Sequence, residues 1–333
     1  MFNRFILSKA IALFIGLICI YLAYTFNSSN LYSISGKAYG TTWSVTSTEF
    51  IADHHEKKIL DIIDSIDYIA SNYKPDSEIA LINKAPIKTE LPISKDLYML
   101  FKEAKIVSNN LDNYYDITLG KISSSMGFAP SFGIDVSNNP SDRVFSLNEY
   151  NQTVFKSSDF WFDLSSIAKG YAVQKIHEYL IANNLPNHLI DIGGEVIVNG
   201  FNYKEPWSVG IQDPNSISNK AIYVINNRNG AMLSIATSGE YRNFRISQNG
   251  VKKTHTINPD NQKSITSDIL SVTILDNKSA TRADAYATGF NVIGGIEIIE
   301  IANTNDIALM LVTSKKGEIE LLFSDKWYDF TYE

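Results

Sequence analysis

Apolar and polar positions alternate along this 333-residue chain with two periods, and the changes of period mark its elements. Ile59, Ile62, Ile63, Ile66 and Ile69 recur at helical spacing, as do Leu97, Leu100, Phe101, Ala104 and Val107, which predicts two amphipathic helices packed on a sheet. A third helix is expected to start after Ser165 or Ser166, either of which can accept its first amide bonds, and to end near Asn183-Asn184 before Pro186. Its apolar face carries Ile167, Tyr171, Ile176 and Leu180. Short β-type runs surround these helices: WSVTST, HLIDI, EVIVNG, WSVGI, AIYVI, AMLSIA and ILSVTIL. The final stretch IALMLVTSKKGEIELLF reads as a hairpin turning at Lys315-Lys316-Gly317. Strands and helices without regular alternation predict an α+β fold with mixed sheets and packed helices. No repeat or second linker interrupts residues 36–333, so one large domain, or two closely packed lobes, is expected there.

The N-terminus departs from both periods. Arg4 and Lys9 precede an uncharged apolar run from Ala10 to Phe26, the pattern of a signal sequence or membrane anchor over residues 1–26; a buried core helix is the bland alternative. No A-x-A cleavage pattern follows, which favours retention as an anchor. The basic residues lie before the run and none follows until Lys37, so the domain is expected outside the cytoplasm, in the periplasm or at the cell exterior, tethered to the inner membrane through the polar linker 27–35. Cys19, the only cysteine, lies within the run, so the remainder can form no internal disulfide. Acylation of Cys19 is the alternative tether, disfavoured by bulky Ile18 where a lipoprotein signal carries a small residue. With 44% hydrophobic and 20% charged residues the chain is composed like a globular protein; its net charge of -7 and pI near 5.3 argue against a nucleic-acid partner.

Four segments carry candidate chemistry. In FDLSSIAKGYAV a strand turns through two serines into a helix bearing Lys169 and Gly170; a helix start suits phosphate, and ordinary serine capping with a solvated lysine explains the pattern equally well. In LIDIGGEVIVNG, Gly193-Gly194 removes side chains where backbone can approach a ligand, or makes a tight turn. In SIATSGEYRNF and THTINPDNQ, Ser238 and Gly239 offer a hydroxyl and amides to phosphate, and His255 is a candidate proton acceptor or a structural histidine. In SATRADAYATGFNVIGG, Asp284 and Thr288 share one helix face beside small alanines and can hold Mg²⁺ through hard oxygens; alternatively Thr281 and Asp284 form an N-terminal capping box.

Taken in order, AYGTTWSV, YKPDSEIALIN, YYDITLG, FDLSSIAKGYAV, IDIGGEVIVNG, WSVGIQDP, IATSGEYRNF, THTINP and ADAYATGF resemble the ApbE family of FAD:protein FMN transferases, over about Gly36 to Gly295. The resemblance implies a T-fold-related flavin transferase fold and an enzyme that splits FAD with Mg²⁺, attaches FMN to a threonine or serine hydroxyl of an acceptor protein and releases AMP. It implies a metal set of the Ala168 carbonyl, Asp284 and Thr288, and pockets for flavin and adenosine shaped by Tyr39, Gly40, Thr41, Tyr73, Ser77, Asn83, Asp116, Lys169, Gly193, Gly194, Glu195, Ser238 and Gly239. His255 matches a histidine important for transfer, and with Asp284 and Lys169 completes the implied catalytic group. Tyr39 stands where the family usually has Met, Ser165-Ser166 replace a frequent Gly-Gly, and Gln174 occupies a position where an acid is common. The implied partners are subunits of membrane redox complexes, such as sodium-pumping NADH:quinone reductase, or secreted electron-transfer proteins. With water in place of the acceptor the same site is an FAD pyrophosphatase; a protein that stores or delivers FAD, or a flavoprotein carrying its own covalent FMN, is a reading of another class.

Overall fold

The computed structural model describes residues 4–27, 30–130, 143–216, 220–239, 244–246, 252–254, 256–265, 269–315 and 317–331. Eight of its strands form one sheet: β1 (Tyr32–Ala38), β2 (Thr41–Ser47), β3 (His188–Ile192), β4 (Glu195–Asn199), β5 (Leu233–Gly239), β6 (Ile269–Asp276), β7 (Ala308–Lys315) and β8 (Glu318–Phe323). They lie side by side in chain order, and every pairing between them is antiparallel. Mixed sheets were the expectation; chain neighbours pairing with one another give an up-and-down meander instead, because each connection returns to the adjacent strand. The hairpin expected at the C-terminal end is present, with Gly317 at φ 86° in its turn.

The meander is legible as continuous apolar runs because both faces of the sheet are covered. On one face Ile190, Ile192, Ile197, Ala236, Val272, Ile274, Leu309 and Leu311 meet the helices. On the other, Val196, Val198, Leu233, Ile235, Leu275, Met310 and Val312 pack with Trp207, Ile211, Ile225 and Trp327. The second set comes partly from the β4–β5 connection, where Ser208–Gln212 and Ala221–Asn226 form a separate two-stranded ribbon.

The helices enter as insertions into the meander. Between β2 and β3 the chain makes α2 (Asp53–Ala70), α3 (Glu78–Lys84), α4 (Lys95–Asn110), α5 (Gly120–Ser125) and α6 (Ala168–Ala182), together with a small antiparallel sheet of Glu90–Pro92, Phe145–Asn148 and Thr153–Lys156. The predicted apolar stripes of α2 and α4 are buried, except for partly exposed Ile62. α7 (Ala280–Ile293) and α8 (Ile298–Thr304) join β6 to β7. α6 and α7 cross in close contact: a Cβ added to Gly170 would lie 2.4 Å from the Ala280 carbonyl oxygen and 2.6 Å from the Asp284 Cβ. Glycine is required at 170 by that approach, not by its backbone angles.

The apolar N-terminal run forms α1 (Arg4–Asn27), whose side chains from Ser8 to Leu22 are exposed. The core-helix alternative therefore has no support, since Leu13, Phe14 and Ile20 are about two-thirds exposed. Among the described residues no helix is long and apolar enough to cross a membrane.

Two buried histidines tie α6 to the sheet. Nδ1–H of His188 donates to the Leu185 carbonyl at 2.7 Å, and the network then assigns His177 Nδ1–H as donor to His188 Nε2 at 2.9 Å. Burial holds both rings below the usual histidine range, His188 down to about 4. The neutral ring is the folded form, so the contribution of His188 is fully present above pH 6.5 and is lost as pH falls towards 4, about 3 kcal/mol in all from a shift of that size. Urea midpoints measured at pH 7.5 and 5 should show this loss, and His188→Gln should flatten it. Gly170→Ala should destabilise the chain by about 1–3 kcal/mol in the same assay through the forced separation of α6 and α7.

Candidate functional site

The α6–α7 crossing places candidate residues from distant parts of the chain together. In the first turn of α6 the Ala168 amide donates to the Leu164 carbonyl at 2.9 Å, and the serines expected to cap the helix do not: the N-cap position is Ile167, without a side-chain bond. Ser166 Oγ pairs instead with the buried Tyr115 hydroxyl at 3.0 Å, and the Ser165 amide donates to Asp163 Oδ1. The cap comes from the neighbouring helix. The Gly170 amide donates to Asp284 Oδ2 at 2.8 Å, so a carboxylate sits at the positive end of α6.

Asp284 is correspondingly not engaged in a capping box of its own helix, whose cap is Ser279, its Oγ accepting from the Arg282 amide. The crossing is reciprocal, because Gln174 Oε1 of α6 accepts the Ala280 amide at the start of α7. The sequence assigned Gln174 no role; its position one helical turn after Gly170 gives it one.

Lys169, one residue earlier on α6, reaches the sheet. Its Nζ lies 2.5 Å from Oε1 of Glu195, the first residue of β4. Glu195 and Asp284 are both buried, at 5% and 3% exposure, and their carboxyl groups are neighbours, with the Lys169 charge acting on both. Burial pushes the Glu195 carboxyl up to about 8, with Lys169 opposing and the Asp284 charge adding to the rise. Asp284 is raised too, again chiefly by burial, against the opposing effects of Lys169 and the Gly170 amide. A buried, partly compensated pair of hard oxygen donors suits a divalent cation. Thr288 lies one turn beyond Asp284 on α7, half-buried, and Ala168 opens α6. The three implied metal-binding positions thus gather at one crossing.

The two glycine turns converge on the same end of the sheet. Tyr39 and Gly40 turn β1 into β2 with φ of 52° and 74°, and Gly193 and Gly194 turn β3 into β4 with φ of 65° and 104°. The turns touch: the Gly193 amide donates to Thr42 O at 3.0 Å, and a Cβ on Gly193 would meet Thr41 Cγ2 at 2.6 Å. The Gly194 amide is held by Asp191 Oδ1 at 2.9 Å. Tyr39 turns its hydroxyl inward to the Ile63 carbonyl at 2.7 Å, and burial raises its pKa. Ser238 and Gly239 end β5 at this rim, where Gly239 pairs with Ser271 of β6.

Asn291, which sequence reasoning missed, adds to the stripe of Asp284 and Thr288 at helical spacing along α7. Wholly buried, its Nδ2 donates to Ser238 Oγ at 3.2 Å and is 3.5 Å from Thr256 Oγ1. His255 lies outside the described residues, but its neighbours Thr254 and Thr256 are buried, and the Thr254 carbonyl accepts from Ser264 Oγ at 2.8 Å. A second link to this segment comes from Arg143, also missed, which donates to Asp116 Oδ2 and to the Pro259 carbonyl. Asp116 further accepts from the Thr118 amide and hydroxyl, so its carboxylate braces the loop.

The remaining candidates are engaged in the scaffold. Ser77 is fully buried, capping α3 through the Ala80 amide and donating to Ser71 O. The Asn83 side chain holds both the N–H and the carbonyl of Phe162, fixing the segment that leads into Asp163; the strand expected there is only an isolated bridge at Trp161. Tyr73 is exposed, with its hydroxyl on the Phe128 carbonyl at 2.6 Å.

This arrangement agrees with comparison to known proteins. The ApbE family model matches residues 39–311. A relative named FAD:protein FMN transferase from Vibrio cholerae is 30% identical over 301 residues, covering 85% of this chain and 88% of its own length. Its counterpart from Haemophilus influenzae is 29% identical over 303 residues, with 84% and 86% covered. Among solved structures, the flavin transferase ApbE from Vibrio cholerae superimposes with a TM-score of 0.78 at 27% identity, covering 90% of this chain and 99% of that one. Since the match takes in the turns, both crossing helices and the sheet rim that they frame, this chain belongs to the ApbE family.

Proposed function

We propose that this chain transfers FMN from FAD to a hydroxyl of an acceptor protein with the help of Mg²⁺, as a membrane-tethered enzyme facing away from the cytoplasm. The single observation that carries the site is the Asp284 carboxylate bound across to the first turn of α6, beside Lys169. The names carried by its relatives supply the reaction, and their similarity extends over most of this chain.

Asp284, Thr288 and the Ala168 carbonyl would hold the cation, which when bound neutralises charge on pyrophosphate oxygens. The chain's own residues do the rest. Lys169 and the positive end of the α6 dipole orient the pyrophosphate, and the rim of Gly40, Thr41, Gly193, Gly194, Ser238 and Gly239 lets the dinucleotide approach the backbone closely. The acceptor threonine or serine oxygen forms a bond to the FMN phosphorus while the bridging oxygen leaves with AMP. The hydroxyl proton passes to His255, whose flanking residues are braced by Asn291 and Ser264.

The exposed apolar run of α1, with Arg4 and Lys9 in the helix before it, supports an N-terminal anchor. An acceptor in a membrane redox complex, or a secreted electron-transfer protein, would share that compartment.

Incubating the chain with FAD, Mg²⁺ and a flavin-acceptor domain should give a fluorescent acceptor band together with AMP; AMP without a band would contradict transfer and favour hydrolysis. Asp284→Ala should lower transfer at least about a hundredfold in the same gel assay while still unfolding cooperatively, at a transition lowered by the loss of the α6 cap, about 1 kcal/mol, and near-native transfer would remove Asp284 from the site. His255→Ala should retain FAD binding by fluorescence titration and transfer about 10²–10⁴-fold more slowly, and a native rate would move the proton acceptor elsewhere.

A further inference from the structure

We propose that Glu195 is itself a ligand of the cation, so that the sheet supplies a donor alongside the two helices. The inference rests on the proposed cation site and adds to it. Glu195 is 5% exposed and its two oxygens are in different situations. Oε1 receives the Lys169 ammonium at 2.5 Å; Oε2 is fully buried and receives no donor among the described residues, the neighbouring Asp284 carboxyl being another acid.

A buried carboxylate oxygen without a partner is rare, because it has given up its water and received nothing in return. The group that Glu195 faces makes the imbalance larger. Asp284 is a second buried carboxylate, with one oxygen on the Gly170 amide. Two buried acids share one ammonium in a site from which water is largely excluded. A hard divalent cation gives Oε2 a partner and brings the second positive charge that two acids and one ammonium lack.

The placement of Glu195 makes it a rigid donor. It opens β4 directly after the Gly193-Gly194 turn, whose amides are fastened to Thr42 O and Asp191 Oδ1. Its backbone is paired with Ile192 of β3, so the carboxylate is fixed relative to the sheet, whereas Asp284 is fixed relative to α7. In this arrangement Lys169 and the cation address different oxygens of Glu195, and the lysine need not leave for the ion to bind.

The test is Mn²⁺ titration of the full chain in detergent without FAD, read by the loss of the free-ion EPR signal. Glu195→Gln should weaken Mn²⁺ binding at least about tenfold, and Asp284→Ala should weaken it too. Lys169→Met should bind no more weakly than the native chain. The Lys169→Met/Glu195→Gln double variant should keep the loss, which separates a missing ligand from repulsion by an orphaned ammonium. Glu195→Asp, which retains the carboxylate, should recover part of the affinity, and circular dichroism melts establish that each variant is folded. Native affinity in Glu195→Gln, or its recovery in the double variant, overturns the assignment while the Asp284 site stands. Native affinity in Asp284→Ala would overturn the cation site itself, and Glu195 with it.

Discussion

The bond from the Gly170 amide to the Asp284 carboxylate joins α7 to the start of α6, a helix with no side-chain cap of its own. The Ala168 amide of its first turn is met by the Leu164 carbonyl, and the others need partners from outside the local chain. Asp284 meets one of them only because Gly170 has no Cβ to hold α7 away. Gln174 returns the bond to the start of α7. This reciprocal capping fixes the separation of the helices, and through it the position of Lys169, Thr288 and Asn291. A carboxylate buried at a helix N-terminus is stabilised by the helix dipole, yet burial still raises its pKa, so the site retains an appetite for positive charge.

The sheet provides the second half of the frame. Its meander brings the β1–β2 turn, the β3–β4 turn and the end of β5 to one rim, although these segments are separated in the chain by long insertions. The chemistry of the rim depends on glycines for different reasons. Gly40, Gly193 and Gly194 adopt positive φ, and Gly193 in addition lies against Thr41. A chain with net charge -7 can then handle an anionic dinucleotide locally, with lysine, amides and a cation, without a basic surface.

Much of this was legible in the sequence, and the misses have physical causes. Periodicity placed α2 and α4 because each has one buried stripe, and HLIDI coincides with β3. It could not give the order of the sheet, which depends on where the insertions return. The caps of α6 and α7 were misassigned because local serine and threonine were adequate partners on paper: α6 takes Asp284, more than a hundred positions away, and α7 takes Ser279 in place of Thr281, with distant Gln174 meeting the Ala280 amide. Asp284 and Thr288 stood out by spacing, and Asn291 extends the same stripe; Arg143 carried no sequence signal, since its role is set by a loop it meets only in the fold. Ser77 and Asn83 lie in motif segments, yet their polar groups hold α3 and the Phe162 backbone. Their place in the motifs reflects how the site is supported from behind.

The most direct measurement is the anomalous difference density of Mn²⁺ in crystals of the chain grown with FAD. A peak against the Asp284 carboxylate, with the FAD pyrophosphate at the first turn of α6, is the expected result. A peak away from Asp284, or a pyrophosphate seated away from α6, would contradict a site built on the crossing of the two helices.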